Sequence, residues 1–334
     1  AYEAQIVYKM KSSEAGLRVD YWRDAAAKSA TFATMNAVTP AGVLAPTAWG
    51  YTDSNVLNPP GQQGWTTQLY TINPYYKGNF GIFSIEAEGQ YKFGKLRKYE
   101  PWMATAGTPQ ADVEVDAYGL YVNARANLKP AYVGGVFVYM SGDKMQDLDK
   151  VTGSLAQFLG ENYTSVSKTL ILWNWEYYDS MGATVQGNIP GFRNPRTFQE
   201  YRGTRYLDNV WLYQIYGGMN VSPKLNIEGR LTYAYADQKP RMGIGAIGSA
   251  LSTYNAQAAA MAYGDGTTRA TNTQFVADDY GIELDVTAKY KIYDNLSYTI
   301  GGGYLWIGDY FKGYDTSVKL KDNYMIMHRL DLFF

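Results

Sequence analysis

Apolar and polar residues alternate along much of this chain with a period of two, the spacing of a strand whose two faces meet different surroundings. The stretch 279–292 shows it best. Tyr280, Ile282, Leu284, Val286, Ala288, Tyr290 and Ile292 share one side, and Gly281, Glu283, Asp285, Thr287, Lys289 and Lys291 share the other. All the charges point one way. A slip of one residue would turn every one of them over, and in a bilayer each displaced Lys or Arg costs about 2–4 kcal/mol near the midplane.

The next strand follows after the tight turn Tyr293-Asp294-Asn295, with Leu296, Tyr298, Ile300, Gly302, Tyr304 and Trp306 against Ser297, Thr299, Gly301 and Gly303; Leu305 and Ile307 break the pattern. The last segment sets Tyr324, Ile326, His328, Leu330, Leu332 and Phe334 against Met325, Met327, Arg329, Asp331 and Phe333. Upstream, 211–221, 225–235, 81–93 and 117–128 repeat the pattern. Their polar faces carry Glu86, Glu88, Lys92, Arg125, Glu228 and Arg230. Residues 131–141 are apolar on both faces, so the pattern does not say which side is inward. The segments near 2–10 and 15–23 are weaker, with Arg18 and Asp20 opposing Leu17, Val19 and Tyr21.

The connections alternate in length. Short turns are predicted at 11–14, 74–78, 129–130, 222–224 and 293–295, and long ones at 24–64, 94–112, 142–206, 237–278 and 311–322. No run reaches the roughly 18 apolar residues of a membrane helix. A chain that crosses lipid without such a helix must close its strands into a barrel, because only helices and closed barrels satisfy every backbone group there. Short turns on one side and long loops on the other are the asymmetry of outer-membrane barrels, and they put the C-terminus on the short-turn, periplasmic side.

Composition supports this reading. Sixteen per cent of the residues are aromatic, 32 of them Tyr, beside 34 Gly and a mean hydropathy of −0.33. Tyr suits a surface that is apolar in its middle and wet at its rims, and Trp211, Tyr213, Tyr280, Tyr290, Tyr298, Tyr304, Trp306 and Tyr324 read as aromatic girdles. A net charge of −1 gives no basic field for nucleic acid, and the absence of Cys excludes disulfides, thiolate metal sites and Cys nucleophiles. The chain begins with Ala1, which reads as a processed or trimmed start.

The candidate chemistry sits on the polar faces. Glu86, Glu88, Lys92, Arg125, Glu228, Arg230, Glu283, Asp285, Lys289, Lys291, Arg329 and Asp331 are read as pore-lining, with Glu3, Lys9, Arg18, Asp20 and Asp309 as further inward charges. The two signs nearly balance, so they read either as a field across a wet lumen or as a lattice of ion pairs that stiffens the wall; both roles can hold together. The sequence GFRNPRTFQEYRGTRY, 191–206, concentrates Arg193, Arg196, Arg202 and Arg205 against Glu200 in the longest connection. These Arg read either as a constriction for anions, since guanidinium forks suit carboxylates and phosphates, or as a rim that binds lipopolysaccharide phosphates. Tyr121 and Tyr216 are inward aromatics on which a sugar could stack. Lys168–Tyr178 (KTLILWNWEYY) reads equally as a strand or as a loop segment packed in the lumen.

Other matches are weaker. GIGAIG at 243–248 lacks the strand and helix that a dinucleotide-binding loop needs. Asp143, Asp147 and Asp149 lack EF-hand spacing. His328, the one His, has no outward Ser beside it, so the chain reads as non-enzymatic, and no cofactor is implied.

The repeated amphipathic strands and the terminal MIMHRLDLFF make the chain resemble a Gram-negative outer-membrane β-barrel of the porin type. Tyr-rich porins and alginate-exporter-like barrels look equally similar. Leu330, Leu332 and Phe334 match the hydrophobic positions of the terminal signal read by the barrel-insertion machinery, while Arg329 stands where a Gly is often found. The resemblance implies a single transmembrane antiparallel β-barrel domain over 1–334, in the outer membrane. Eleven segments carry or approach the alternation. Bacterial barrels have even strand numbers, so either a strand precedes Ala1 or 142–206 hides some; the expectation is about 14 strands, with 12–16 allowed.

The implied function is passive diffusion of small hydrophilic solutes. The alternatives are a channel or exporter specific for anionic solutes or polysaccharide, and a structural sleeve around a partner protein. The implied partners are outer-membrane lipid, lipopolysaccharide, solutes and further copies of the chain. If Arg193, Arg196, Arg202 and Arg205 line a constriction, neutralising all four shifts the reversal potential in planar bilayers toward cation selectivity; an unchanged potential rejects that role.

Overall fold

The computed structural model describes residues 1–28, 65–99, 112–142, 150–153, 167–173, 207, 209–239, 275–312 and 316–333. These form an all-β structure. Its strands are β1 (Tyr2–Lys9), β2 (Ser13–Lys28), β3 (Trp65–Phe80), β4 (Phe83–Tyr99), β5 (Val113–Leu128), β6 (Ala131–Met140), β7 (Lys150–Val151), β8 (Val210–Ser222), β9 (Leu225–Tyr235), β10 (Asp279–Tyr293), β11 (Leu296–Ile307) and β12 (Asn323–Leu332).

Eleven of these strands form one antiparallel meander in the order β1-β2-β3-β4-β5-β6-β8-β9-β10-β11-β12. Each strand therefore pairs with its sequence neighbour, β7 apart. That two-residue strand runs parallel to β5 at Glu114 and Val115, beyond the point where β6 ends against Gly119. Among the described residues the sheet thus has 12 strands, within the expected 12–16 and below the expected 14. Among the described residues no pairing joins β1 to β12. Eleven antiparallel neighbours leave those two edges running in the same direction, so direct closure would be parallel.

The faces segregate as the alternation predicts. Ile282, Leu284, Val286, Ile300, Trp306, Ile326 and Leu330 lie exposed on one face, while Glu283, Asp285, Arg230, Thr232, Gln214 and Lys92 are buried on the other. An exposed row of large apolar side chains on strand after strand is the reverse of a soluble sheet. Rings stack across this bare face in direct register: Tyr2 on Tyr21, Tyr21 on Tyr70 and Tyr70 on Phe93. Neighbouring aromatic pairs of this kind stabilise by about 0.5–1.5 kcal/mol beyond their burial.

Three expectations are corrected. The turn predicted at 74–78 lies at residues 81–82, and β3 runs through Pro74. Proline is tolerated there because the β3–β4 ladder skips Asn73 and Pro74, and Gly89 leaves room for the ring, with the position of its absent Cβ only 3.2 Å from Pro74 Cγ. Asp309 is not on a strand. It opens a 3-10 turn, Asp309–Lys312, and pairs with Lys312 at 2.8 Å.

Tyr280, expected in the girdle, is fully buried on the covered face. The register shifts between Asp279 and Gly281, so Tyr280 is an extra residue that leaves the alternation. Gly281 makes this possible with φ 110°, a conformation that side chains other than glycine's rarely adopt. A Cβ on Gly281 would stand 2.1 Å from the Trp306 carbonyl oxygen. Gly281→Ala is expected to destabilise the fold by about 1–3 kcal/mol, seen as a lower temperature for loss of the compact, heat-modifiable band on gels; an unchanged transition would show that the bulge does not depend on glycine.

Candidate functional site

The covered face changes character along its length. Toward the short turns it is charged. Toward the long connections it is apolar, where Val138, Met140, Val210, Leu212, Ala234, Tyr280 and Leu305 join one buried cluster. This explains both the exception at Leu305 and the double apolarity of 131–141. The inward side of β6 is Tyr132, Val136, Val138 and Met140, and it packs against chain that the local pattern cannot see.

Part of that chain is 167–173, the described portion of the ambiguous segment Lys168–Tyr178. It is not a strand. It lies on the covered face as an irregular segment with Leu170, Ile171, Leu172 and Trp173 buried. The Glu283 carboxylate holds it through consecutive backbone amides. Leu170 N–H and Ile171 N–H donate to Oε1 at 2.8 and 2.7 Å, and Leu172 N–H donates to Oε2 at 2.7 Å. Gln214 Nε2 donates to the Ser167 carbonyl at 2.7 Å, the Thr169 hydroxyl bonds the Leu172 carbonyl, and the Trp173 ring meets Tyr280 edge-on at 5.2 Å. Leu170 fits because Gly301 and Gly303 carry no side chains beneath it. Asp285, two residues beyond Glu283, is buried with neither carboxylate oxygen hydrogen-bonded within this segment's seat; across the β9–β10 pair its register partner is Arg230.

Below the segment lies a polar cleft of about 240 Å³, lined by Ser84 and Glu86 of β4, Tyr121, Asn123 and Arg125 of β5, Val136 of β6, Lys168, Tyr216 of β8, and Glu228 and Arg230 of β9. Two tyrosines brace it by lying over glycines of the neighbouring strand. Tyr132 covers Gly218, where a Cβ would come within 2.4 Å of its hydroxyl, and Tyr216 covers Gly134, where a Cβ would come within 2.4 Å of its ring. Each ring then takes up polar partners. Tyr132 Oη donates to Glu228 Oε2 at 2.7 Å, and Tyr216 Oη donates to Asn123 Oδ1 at 2.8 Å. The Arg125 guanidinium sits 3.8 Å above the Tyr132 ring and the Arg230 guanidinium 4.8 Å from the Tyr216 ring. Arg230 also bonds Gln214 Oε1 at 2.7 Å and pairs with Glu228.

The inward charges named from sequence, Asp309 apart, share the covered face on β1, β2, β4, β5, β9, β10 and β12. Several are paired there: Glu86 with Lys77 at 2.9 Å, Arg18 with Asp20 at 3.0 Å, and Arg329 with Asp331 at 2.9 Å. Lys92 is buried; Glu88, Lys289 and Lys291 are exposed near the short-turn end. In the turn beyond β10, the Lys291 ammonium 2.7 Å from Asp294 holds that carboxyl below its ordinary range. Arg193, Arg196, Arg202 and Arg205 lie outside the described residues. Sequence reasoning missed Tyr132 and Lys168 as site residues. The signal for Tyr132 was Gly218 in its register partner strand, visible only once the pairing of β6 with β8 is known.

A meander with an exposed apolar face, a charged face behind it, and short and long connections in alternation is the wall of a transmembrane β-barrel. The fold class these features define is the outer-membrane β-barrel. No protein-family model and no curated protein matches the chain. Among solved structures it is similar to OmpT, an outer membrane protein of Vibrio cholerae, at 12% identity and a TM-score of 0.36, over 99% of this chain and 64% of that one. It is also similar to the NanC porin (9% identity, TM-score 0.34, all of both chains) and to the outer membrane protein OprD from Pseudomonas aeruginosa (11%, 0.31, 98% of this chain and 67% of that one). The chain spans just under two thirds of the OmpT length. The class rests on the two faces of the sheet rather than on these distant likenesses.

Removing the charge of Glu283 tests the anchor. Gln can accept at one oxygen but presents an N–H₂ to the remaining amide, so Glu283→Gln should weaken the seat of 167–173 by about 1.5–3 kcal/mol for each charged bond lost. Trypsin cleavage after Lys168 in detergent micelles is then expected to speed up while the heat-modifiable band persists. Equal cleavage rates in the two proteins would mean that Glu283 does not hold the segment.

Proposed function

We propose that the chain is a passive channel for small hydrophilic solutes across the outer membrane. Its bare aromatic face stands in lipid, its long connections meet lipopolysaccharide outside, and further copies of the chain can share the lipid-facing surface. The observation that supports this reading is the arrangement of two opposite faces on one sheet. Apolar side chains are exposed on one side, and back to back with them lies a charged face with a polar cleft. Such a wall keeps water on one side and hydrocarbon on the other.

Selection by this wall would act through size and charge. Segment 167–173 takes space from the covered side and bounds the cleft from above. The paired charges below it give both signs within a few ångströms, a surface that a hydrated solute can follow by exchanging its water bonds for protein ones. Held by Glu283 and Gln214, the segment would bound the passage without needing to move. Nothing in this mechanism requires bond making or breaking, so the chain works as a conduit.

Conductance in planar bilayers tests the proposal, with reversal potential and sugar-size exclusion measured on the same preparation. The expected result is stepwise conductance and a size cut-off for neutral sugars. A sealed barrel with no steps, or one that copurifies with a tight stoichiometric partner in its lumen, would replace the channel with a structural sleeve.

A further inference from the structure

The charges around the cleft do not cancel. Glu228 is already engaged by Arg230 and by the Tyr132 hydroxyl. Glu86 is engaged by Lys77 of β3. Arg230 is engaged by Glu228 and Gln214. Two cations of the lining are left over. Arg125 has no carboxylate partner and no hydrogen bond from its guanidinium among the described residues, and its Nε is buried without any partner. Lys168 likewise makes no ion pair among the described residues, and it stands exposed at the edge of the bound segment.

Both cations are held in place without an ion pair of their own among the described residues. The Tyr132 face carries the Arg125 guanidinium at 3.8 Å, and Tyr132 is itself fixed by Gly218 beneath it and Glu228 and Asn226 at its hydroxyl. Stacking on a ring holds the plane of a guanidinium and leaves its edge, the donor fork, free to meet a planar anion. Lys168 is pinned on either side by Ser167, bonded to Gln214, and by the amides of residues 170–172 on Glu283, and it takes φ 50° between them. Ser84, the register partner of Arg125, and Asn123, whose Oδ1 is occupied by Tyr216, add a hydroxyl and an amide N–H₂ beside them.

We propose that Arg125 and Lys168 form a subsite for the carboxylate of a small organic acid, the guanidinium fork taking the two oxygens and the ammonium closing the other side, with Tyr121 and Tyr216 against the solute's carbon frame. The cleft of about 240 Å³ has room for an acid of a few carbons. This subsite rests on the channel reading and names the solute class that the channel would favour.

The test uses the full chain in planar bilayers with potassium chloride as carrier, lactate as probe and glucose as neutral control. Lactate is expected to reduce the chloride-carried current at millimolar concentration while glucose at the same concentration does not. Arg125→Gln and Lys168→Gln should each raise the lactate concentration for half-block by about tenfold or more, the scale of one lost charge-assisted bond. Lys168 lies outside the strands, so its variant keeps the test open if the Arg125 variant fails to insert. Arg125→Lys, which retains the charge and loses the fork, should restore part of the block. Current that lactate leaves untouched, or blocks equally in wild type and in the Lys168 variant, overturns the subsite and leaves the channel standing; absence of any current overturns the channel itself.

Discussion

Charge is too costly in hydrocarbon for any spanning strand to show it to lipid, and every unpaired backbone amide adds a penalty of several kcal/mol of its own. Those two penalties account for most of this sheet. They require every strand to bond a neighbour along its length and to keep Glu, Asp, Lys and Arg on one side. The meander meets the first requirement in the simplest way, by pairing strands adjacent in sequence. The second leaves a face on which charged and polar groups must satisfy one another. Hence the ion pairs across strands, and hence tyrosines whose rings cover glycines while their hydroxyls reach carboxylates and amides.

The same rule explains the use of a buried carboxylate. Glu283 lies deep on the covered face, where an unpaired anion would be severely destabilising. It finds its donors in three successive backbone amides of residues 170–172. Those amides, in an irregular segment without a ladder of its own, need acceptors equally. Each solves the other's desolvation, and the product is a segment seated on the covered face. Above it, apolar residues of β6, β8, β10 and β11 pack around Trp173 and Tyr310. Below it, the charged cleft begins. The apolar cluster and the charged cleft are thus two layers stacked along the strands, with the segment seated between them.

Much of this was legible in the chain alone, because alternation is a local signal. The side taken by the charges of β4, β5, β9, β10 and β12 and the turns at residues 129–130, 223–224 and 294–295 follow from a period of two broken by turn residues. The direction of every charge on β10 follows from the cost of turning it toward lipid. Tyr121 and Tyr216 could be picked out as inward rings for the same reason.

What the sequence could not decide depends on contacts between distant segments. Tyr280 obeys the alternation on paper and leaves it in space, because a glycine-dependent bulge inserts one residue and the ring finds Trp173 and Tyr310. β6 is apolar on both sides, so its inward face was set by what packs there. KTLILW could have been a strand; it is a clamped segment because Glu283, more than a hundred residues away, supplies the acceptors that a neighbouring strand would otherwise provide. A strand's own residues report which side faces oil, since that penalty is paid residue by residue. Which groups share a cleft is a property of register and of long-range packing, and only the tertiary structure sets it.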